Sequence, residues 1–253
     1  MGDALGDRMK ANYEDRQRHY LTRRTPTIIR IDGKAFHTFT RGLEEPFDGR
    51  LADTLEAAAI RVADDAQGFK LAYLQSDEIS ILLTDYDQLQ TSAWFDYNKS
   101  KMESVAASCM TAHFNDQWRA HRTGHRLAMF DARAFSLPRE EVANYFLWRA
   151  KDWERNSVSM YCRHFFSDKQ MHGQGKADQH EMLHRVGKNW TTDLSERWRN
   201  GTWLVRGPEG VATRHDIIPK FADIDAVVAP LLMPSPEPIA PPPAPRPPQA
   251  PGA

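Results

Sequence analysis

Two short acidic segments hold the residues best suited to chemistry. Arg30-Ile31-Asp32-Gly33 ends an apolar run with a carboxylate followed by glycine, and Gln75-Ser76-Asp77-Glu78 separates two apolar runs with a pair of carboxylates. Converging carboxylates repel one another unless a cation lies between them. Mg²⁺ suits such a place, because it takes oxygen ligands, keeps several waters and is held by one or two carboxylates plus substrate phosphates. Asp32 and Asp77 are therefore candidate metal-binding, catalytic residues. Gly33 has no side chain to keep its carbonyl from the ion, and Glu78 is a candidate auxiliary acid. Two ions about 3.5–4 Å apart can clamp the attacking and leaving oxygens of a phosphoryl transfer. On spacing alone, an Asp-Gly turn and a polar hairpin loop account for the same residues.

Convergence requires the two segments to end neighbouring strands. Residues 27–31 are rich in β-branched side chains and predict a strand that Asp32-Gly33 breaks. Residues 47–66 predict an amphipathic helix with Leu51, Leu55, Ala58, Ala59 and Val62 on one face. Residues 71–74 and 79–83 predict a hairpin around 75–78. A long helix is expected over 94–118 and a strand over 126–135. Pro138, followed by Glu140 and Glu141, opens another helix reaching to about 166. A shorter helix over 179–186 stops at Gly187. This order implies an α+β fold, with a βαββαβ antiparallel sheet backed by helices and helical additions at its C-terminal side.

The chain has 253 residues, 33 basic and 34 acidic, for a net charge of −1. Bulk charge thus does not announce nucleic-acid binding, and any RNA contact has to use local patches. Residues 16–24 hold four arginines and a histidine, and residues 185–206 mix arginines with Trp190, Trp198 and Trp203. Arginine beside aromatics suits phosphate contact and base stacking, while tryptophans turned inward are the equally good alternative. Two cysteines and a charged opening imply a reducing, cytoplasmic setting with no disulfide framework. No apolar run reaches bilayer-spanning length, so no membrane is expected. Residues 233–253 hold 10 of the 16 prolines and predict a disordered, polyproline-rich tail. The expected division is a catalytic domain over 1–136, a mixed region over 137–232 completing the same globular unit, and the tail.

The two acidic segments, extended to Arg30-Ile31-Asp32-Gly33-Lys34-Ala35-Phe36-His37 and Gln75-Ser76-Asp77-Glu78-Ile79-Ser80, resemble the metal-binding motifs of the tRNA-His guanylyltransferase family. So do Leu5-Gly6-Asp7-Arg8-Met9-Lys10, Ser100-Lys101, Phe130-Asp131-Ala132-Arg133 and Trp148-Arg149-Ala150-Lys151-Asp152, in the family's order over residues 5–165. The resemblance implies a polymerase-palm fold and 3′–5′ nucleotide addition to the 5′ end of tRNA. It implies two Mg²⁺ ions on Asp32, Gly33 and Asp77, GTP as substrate, and an RNA 5′ end activated either by an existing 5′-triphosphate or by adenylylation with ATP. Arg30, Lys34, Ala35, Phe36, His37, Ser76, Lys101 and Arg133 would contact nucleotide phosphates or the RNA 5′ end. Nucleoside triphosphates and tRNA are the implied partners, and a homotetramer the implied assembly.

Three positions depart from the family pattern. Glu154-Arg155-Asn156-Ser157 stands where a His-Ile-Asn-Asn motif tied to tRNA-His selection is found, leaving Asn156 as its remnant. Glu45 replaces a lysine, although Pro46 and Asp48 remain, and Asn98 replaces an arginine. The expectation is therefore template-directed repair of shortened tRNA 5′ ends rather than dedicated guanosine addition to tRNA-His. Another palm-fold nucleotidyl enzyme such as a nucleotide cyclase, or a non-catalytic RNA-binding relative, remain the alternatives.

Overall fold

The computed structural model describes residues 3–121 and 126–234. Its centre is one six-stranded antiparallel sheet in the order β4-β1-β3-β2-β5-β6. The strands are β1 (Thr27–Gly33), β2 (Phe69–Gln75), β3 (Glu78–Leu83), β4 (Phe130–Ser136), β5 (Thr202–Gly207) and β6 (Gly210–Arg214). Among the described residues five helices run to ten residues or more: α1 (Gly49–Asp65), α2 (Lys99–Trp118), α3 (Val142–Arg163), α4 (Lys176–Arg185) and α5 (Phe221–Leu231). The first four strands with α1 and α2 form the expected βαββαβ unit.

Both faces of the sheet are covered, so its central strands read as continuous apolar runs rather than alternating ones. Ile29, Ile31, Ala72, Ile79 and Ile81 join the core under α1 and α2. Ile28, Leu71, Tyr73, Leu82 and Trp203 join a second core under α3 and α5. Asp48 caps α1 through its side chain, which accepts the Leu51 N–H, and Asn98 caps α2 by accepting the Lys101 N–H.

Several elements differ from the sequence expectation. Strand β1 does not break at Asp32: both Asp32 and Gly33 pair with β4, because Asp131 and Phe130 supply partners beyond the end of β3. The helix expected from residue 94 begins at Lys99. Before it, Phe95, Asp96 and Tyr97 all adopt left-handed backbone with φ of 50–57°, a costly conformation for side chains larger than glycine. Arg23 holds this turn by donating to Asp85, Asp96 and the Thr91 carbonyl. Strand β4 starts at Phe130 rather than 126. β5, β6 and α5 lie beyond the elements the sequence predicts, and of the three only β5 overlaps the arginine- and tryptophan-bearing stretch over 185–206. In the structure Trp190 and Trp203 are buried, so the inward alternative holds for those two rings. Nearly all of the proline-rich tail, residues 235–253, lies outside the described residues.

Candidate active site

The two acidic segments meet at one end of the sheet. Ile31 pairs with Ile79, so β1 continues one residue beyond β3 and brings Gly33 beside the hairpin turn at Ser76 and Asp77. The approach is close. A Cβ placed on Gly33 would lie 2.6 Å from Asp77 Oδ2 and 2.2 Å from the Phe36 ring. Only glycine fits there, and its backbone borders the Asp77 carboxylate.

The turn holds Asp77 firmly. Ser76 adopts a left-handed φ of 50° and its hydroxyl donates to Asp77 Oδ1 at 3.0 Å. Burial pushes the Asp77 carboxyl up to about 6, with the charges of Asp32 and Glu78 adding to it and hydrogen bonds from its own N–H and Ser76 opposing it. Among the described residues neither Asp32 nor Asp77 has a salt-bridge partner. A half-buried carboxylate near a second one, neither paired with a cationic side chain, is a place that calls for a cation. The described residues contain no group of three or more His, Cys, Asp or Glu able to hold a metal. Two carboxylates and one carbonyl nevertheless fit Mg²⁺, which completes its octahedron with water and phosphate oxygens.

Glu78 has a different task. Arg149, buried in α3, donates from Nε and Nη2 to the two Glu78 oxygens, both at 2.7 Å, and also to Asp152 at 3.1 Å. This bidentate pair ties the hairpin to α3. Sequence reading quoted Arg149 and Asp152 within a motif but gave them no role; the 71-residue separation of Glu78 and Arg149 hides the pairing.

The remaining candidates divide. Lys34 and His37 are exposed next to Gly33, and the Lys34 N–H donates to the Met129 carbonyl. Ala35 has φ of 54°, and its carbonyl accepts from Thr38 and Phe39 to open the short helix Phe36–Phe39. The Phe36 side chain is a core residue, packed with Phe39, Phe114 and Phe130 at centroid distances of 5.0–5.9 Å. Arg30 and Arg133 are cross-strand partners two positions from Asp32, so they share its sheet face. Arg30 Nε is buried without a hydrogen-bond partner, and Arg133 Nη2 lies 3.6 Å from Asp131.

Lys101 is not part of this cluster within one chain. It lies in the first turn of α2, with Nζ 4.9 Å over the Phe95 ring. The helix reaches the level of Gly33 only at Thr111, whose hydroxyl accepts the Phe130 N–H. Ten helical residues separate the two, roughly 15 Å. Asn156 is exposed on α3, about two turns past Arg149. Asp48 is buried as the α1 cap. The hydrogen bond from Arg50, with those from the Glu44 and Leu51 N–H groups, holds its carboxyl down at about 2.

Beside Ser76 opens a cavity of about 330 Å³. The loop carrying Glu45, Pro46 and Asp48 forms one wall, Leu74 the floor, and Trp153 and Trp198 the far side. Phe47 stacks on Trp198 at 4.8 Å and 10°. Its size lies at the small end of ordinary ligand pockets.

Known proteins resemble this chain in sequence and in fold. A family model described as tRNAHis guanylyltransferase matches residues 6–138, more than half of the chain. The chain is 30% identical over 200 residues to tRNA(His) guanylyltransferase of Schizosaccharomyces pombe, covering 73% of this chain and 74% of that protein. It is 27% identical over 190 residues to an uncharacterized protein of Acanthamoeba polyphaga mimivirus, spanning 64% of that protein's length. A solved bacterial tRNA(His) guanylyltransferase-like protein in complex with ATP superposes with a TM-score of 0.84 at 39% identity, over 91% of this chain and 99% of that one. A similar structure in complex with GTP gives 0.76 at 37% identity, over 91% and 100%. The chain belongs to the tRNA(His) guanylyltransferase family.

Proposed function

We propose that this protein is a Mg²⁺-dependent nucleotidyltransferase that adds nucleotides, GTP among them, to the 5′ end of tRNA in the 3′–5′ direction. The observation that carries the reading is the Asp77 carboxylate packed against Gly33 at the end of β1, near Asp32 and beside a cavity of about 330 Å³. The likeness to proteins whose structures are in complex with ATP and GTP supports it.

In this reading Asp32, Asp77 and the Gly33 carbonyl hold two Mg²⁺ ions. Bound there, the ions would neutralise phosphate charge and lower the barrier to attack by the 3′-hydroxyl of the incoming nucleoside triphosphate. That hydroxyl gives its proton to water, its oxygen bonds the RNA 5′-phosphorus, and the bond to the leaving pyrophosphate or AMP breaks. The chain itself mainly positions and screens. Ser76 orients the Asp77 carboxylate. Lys34, His37 and the backbone of Ala35 and Phe36 border the triphosphate. The cavity beside Ser76 takes the base. Arg30 and Arg133 meet the phosphates of the RNA 5′ end. Glu45, Asn98 and the 154–157 segment, each departing from the family pattern, favour repair of shortened tRNAs over selection of tRNA-His. Lys101, far from the two acids in one chain, enters the same site when copies assemble as a homotetramer. Among the described residues no helix is long and apolar enough to cross a membrane, and the reading places the enzyme in the cytoplasm.

The test is 5′-end extension of intact tRNA-His and of 5′-truncated tRNAs, with each nucleoside triphosphate separately. Incorporation into truncated tRNAs, lost in Asp32→Ala and in Asp77→Ala, is expected. Full incorporation in either variant, or a cyclic product from GTP alone, overturns the reading.

A further inference from the structure

On the sheet face that carries Asp32, the cover is complete over the central strands and only partial over the outer strand β4. Helix α3 lies over β2, β3 and β5 through Phe146, which packs on Trp203, and through Arg149, which binds Glu78. On its other flank Tyr145 meets Phe135 of β4 at 5.7 Å and hydrogen-bonds Ser80 at 2.8 Å. The outer part of the face stays open, with the side chains of Asp131 and Arg133 61% and 53% exposed. At about 100° per residue Trp148 lies beyond Tyr145 on the β4 flank of α3, turned toward solvent and not into the packed face.

Trp148 is 52% exposed, whereas the other tryptophans are buried or half-buried. Its ring is nonetheless fixed. The Arg149 guanidinium sits 4.4 Å from its centroid, and Tyr145 packs against it edge-on at 5.9 Å. Both neighbours are themselves anchored, Arg149 by Glu78 next to Asp77 and Tyr145 by Ser80. The Arg30, Glu78 and Arg149 charges all act on the Tyr145 hydroxyl, which places Arg30 in the same group. A large aromatic surface is thus held in one orientation, open to solvent, on two neighbours that reach the hairpin carrying Asp77 through Glu78 and the Arg30 position of β1 through Ser80. An ordered aromatic beside phosphate-binding cations is how proteins stack exposed nucleic-acid bases, at little cost in side-chain freedom.

We propose that Trp148 is a stacking platform for the terminal base at the RNA 5′ end, holding that end over Asp32 while Arg30 and Arg133 take its phosphates. This rests on the RNA-directed reading above. It adds a binding residue that discriminates RNA from the free nucleotide, because Trp148 does not line the cavity beside Ser76.

The test pairs Trp148→Ala with Trp148→Phe. Binding of a 5′-truncated tRNA is measured by fluorescence anisotropy without nucleotide, and binding of GTP with Mg²⁺ by calorimetry. The expected result is a loss of tRNA affinity of about fivefold or more in Trp148→Ala, as for removal of one stacked base. Trp148→Phe keeps most of the affinity, and GTP affinity is unchanged in both. Unchanged tRNA affinity in Trp148→Ala overturns the proposal while leaving the extension activity standing. A wild-type protein that extends no RNA, yet loses tRNA binding in Trp148→Ala, keeps the platform and sinks the reaction. If light scattering shows Trp148→Ala changing the assembly mass along with tRNA binding, the ring belongs to a contact between copies of the chain and the proposal fails.

Discussion

Asp77→Asn should make the metal-free protein more stable while abolishing its chemistry. The Asp77 carboxyl is raised from 3.8 to about 6 by burial, with Asp32 and Glu78 adding to the effect. Two pH units at 1.36 kcal/mol each make the ionised form cost about 3 kcal/mol at neutral pH. The folded chain binds this proton more tightly than the unfolded one. The penalty is therefore absent below about pH 3.8, complete above about pH 6, and stability falls as pH rises through that window. The amide removes the charge with little change of shape, and its own burial takes back part of the gain. About 2 kcal/mol should remain. At 2–4 °C per kcal/mol for a chain of this size, Tm in EDTA at about pH 7.5 should rise by about 4–8 °C. The difference should shrink toward pH 4. Adding Mg²⁺ and GTP should reverse the order, because only the wild type gains binding free energy from the ions. The assay is thermal unfolding followed by circular dichroism under these conditions. If Asp77→Asn melts at or below wild type in EDTA near pH 7.5, an uncompensated buried charge is not what the turn holds, and the metal assignment loses its basis.

Two further outcomes follow from packing. Gly33→Ala drives a methyl against the Phe36 ring and the Asp77 carboxylate; it should cost about 1–3 kcal/mol in urea unfolding and weaken Mg²⁺-dependent GTP binding by calorimetry, and wild-type affinity would argue against the close approach. Arg149→Ala leaves Glu78 partly buried and unpaired, with the two side chains 9% and 13% exposed in the native pair. A loss of about 3–5 kcal/mol is expected, partly restored by Glu78→Gln in the same background, and additive effects of the two changes would refute the coupling.

Some of this was legible in the sequence for clear reasons. Strand β1, the hairpin and α1 announce themselves because both sheet faces are buried and α1 has a single apolar stripe. Asp32 and Asp77 were legible as strand-end acids, since strand ends are where apolar patterns stop. The distance of Lys101 from the two acids was not legible, although the resemblance expects it at the phosphates: a motif beside a helix start does not say that the helix then runs some 15 Å before reaching the level of Gly33. Phe36 sits inside the motif, yet its ring serves the core. β5 and β6 are five or six residues long and carry arginines, so their pattern was weaker than their composition.

Leu71 to Leu74 of β2 pair with Thr202 to Val205 of β5, and this binds the fate of the two halves of the chain together. A fragment ending at Ser136 would keep both acids but bare the whole outer row of N–H and C=O groups on β2. It would also uncover Tyr73, which now rests on Trp203 at 4.4 Å. A flat, apolar strand edge of that kind recruits other chains. Truncated at that point, the catalytic half should aggregate rather than work as a minimal enzyme. A recombination event that exchanged the C-terminal hundred residues would have to bring its own edge strand to survive.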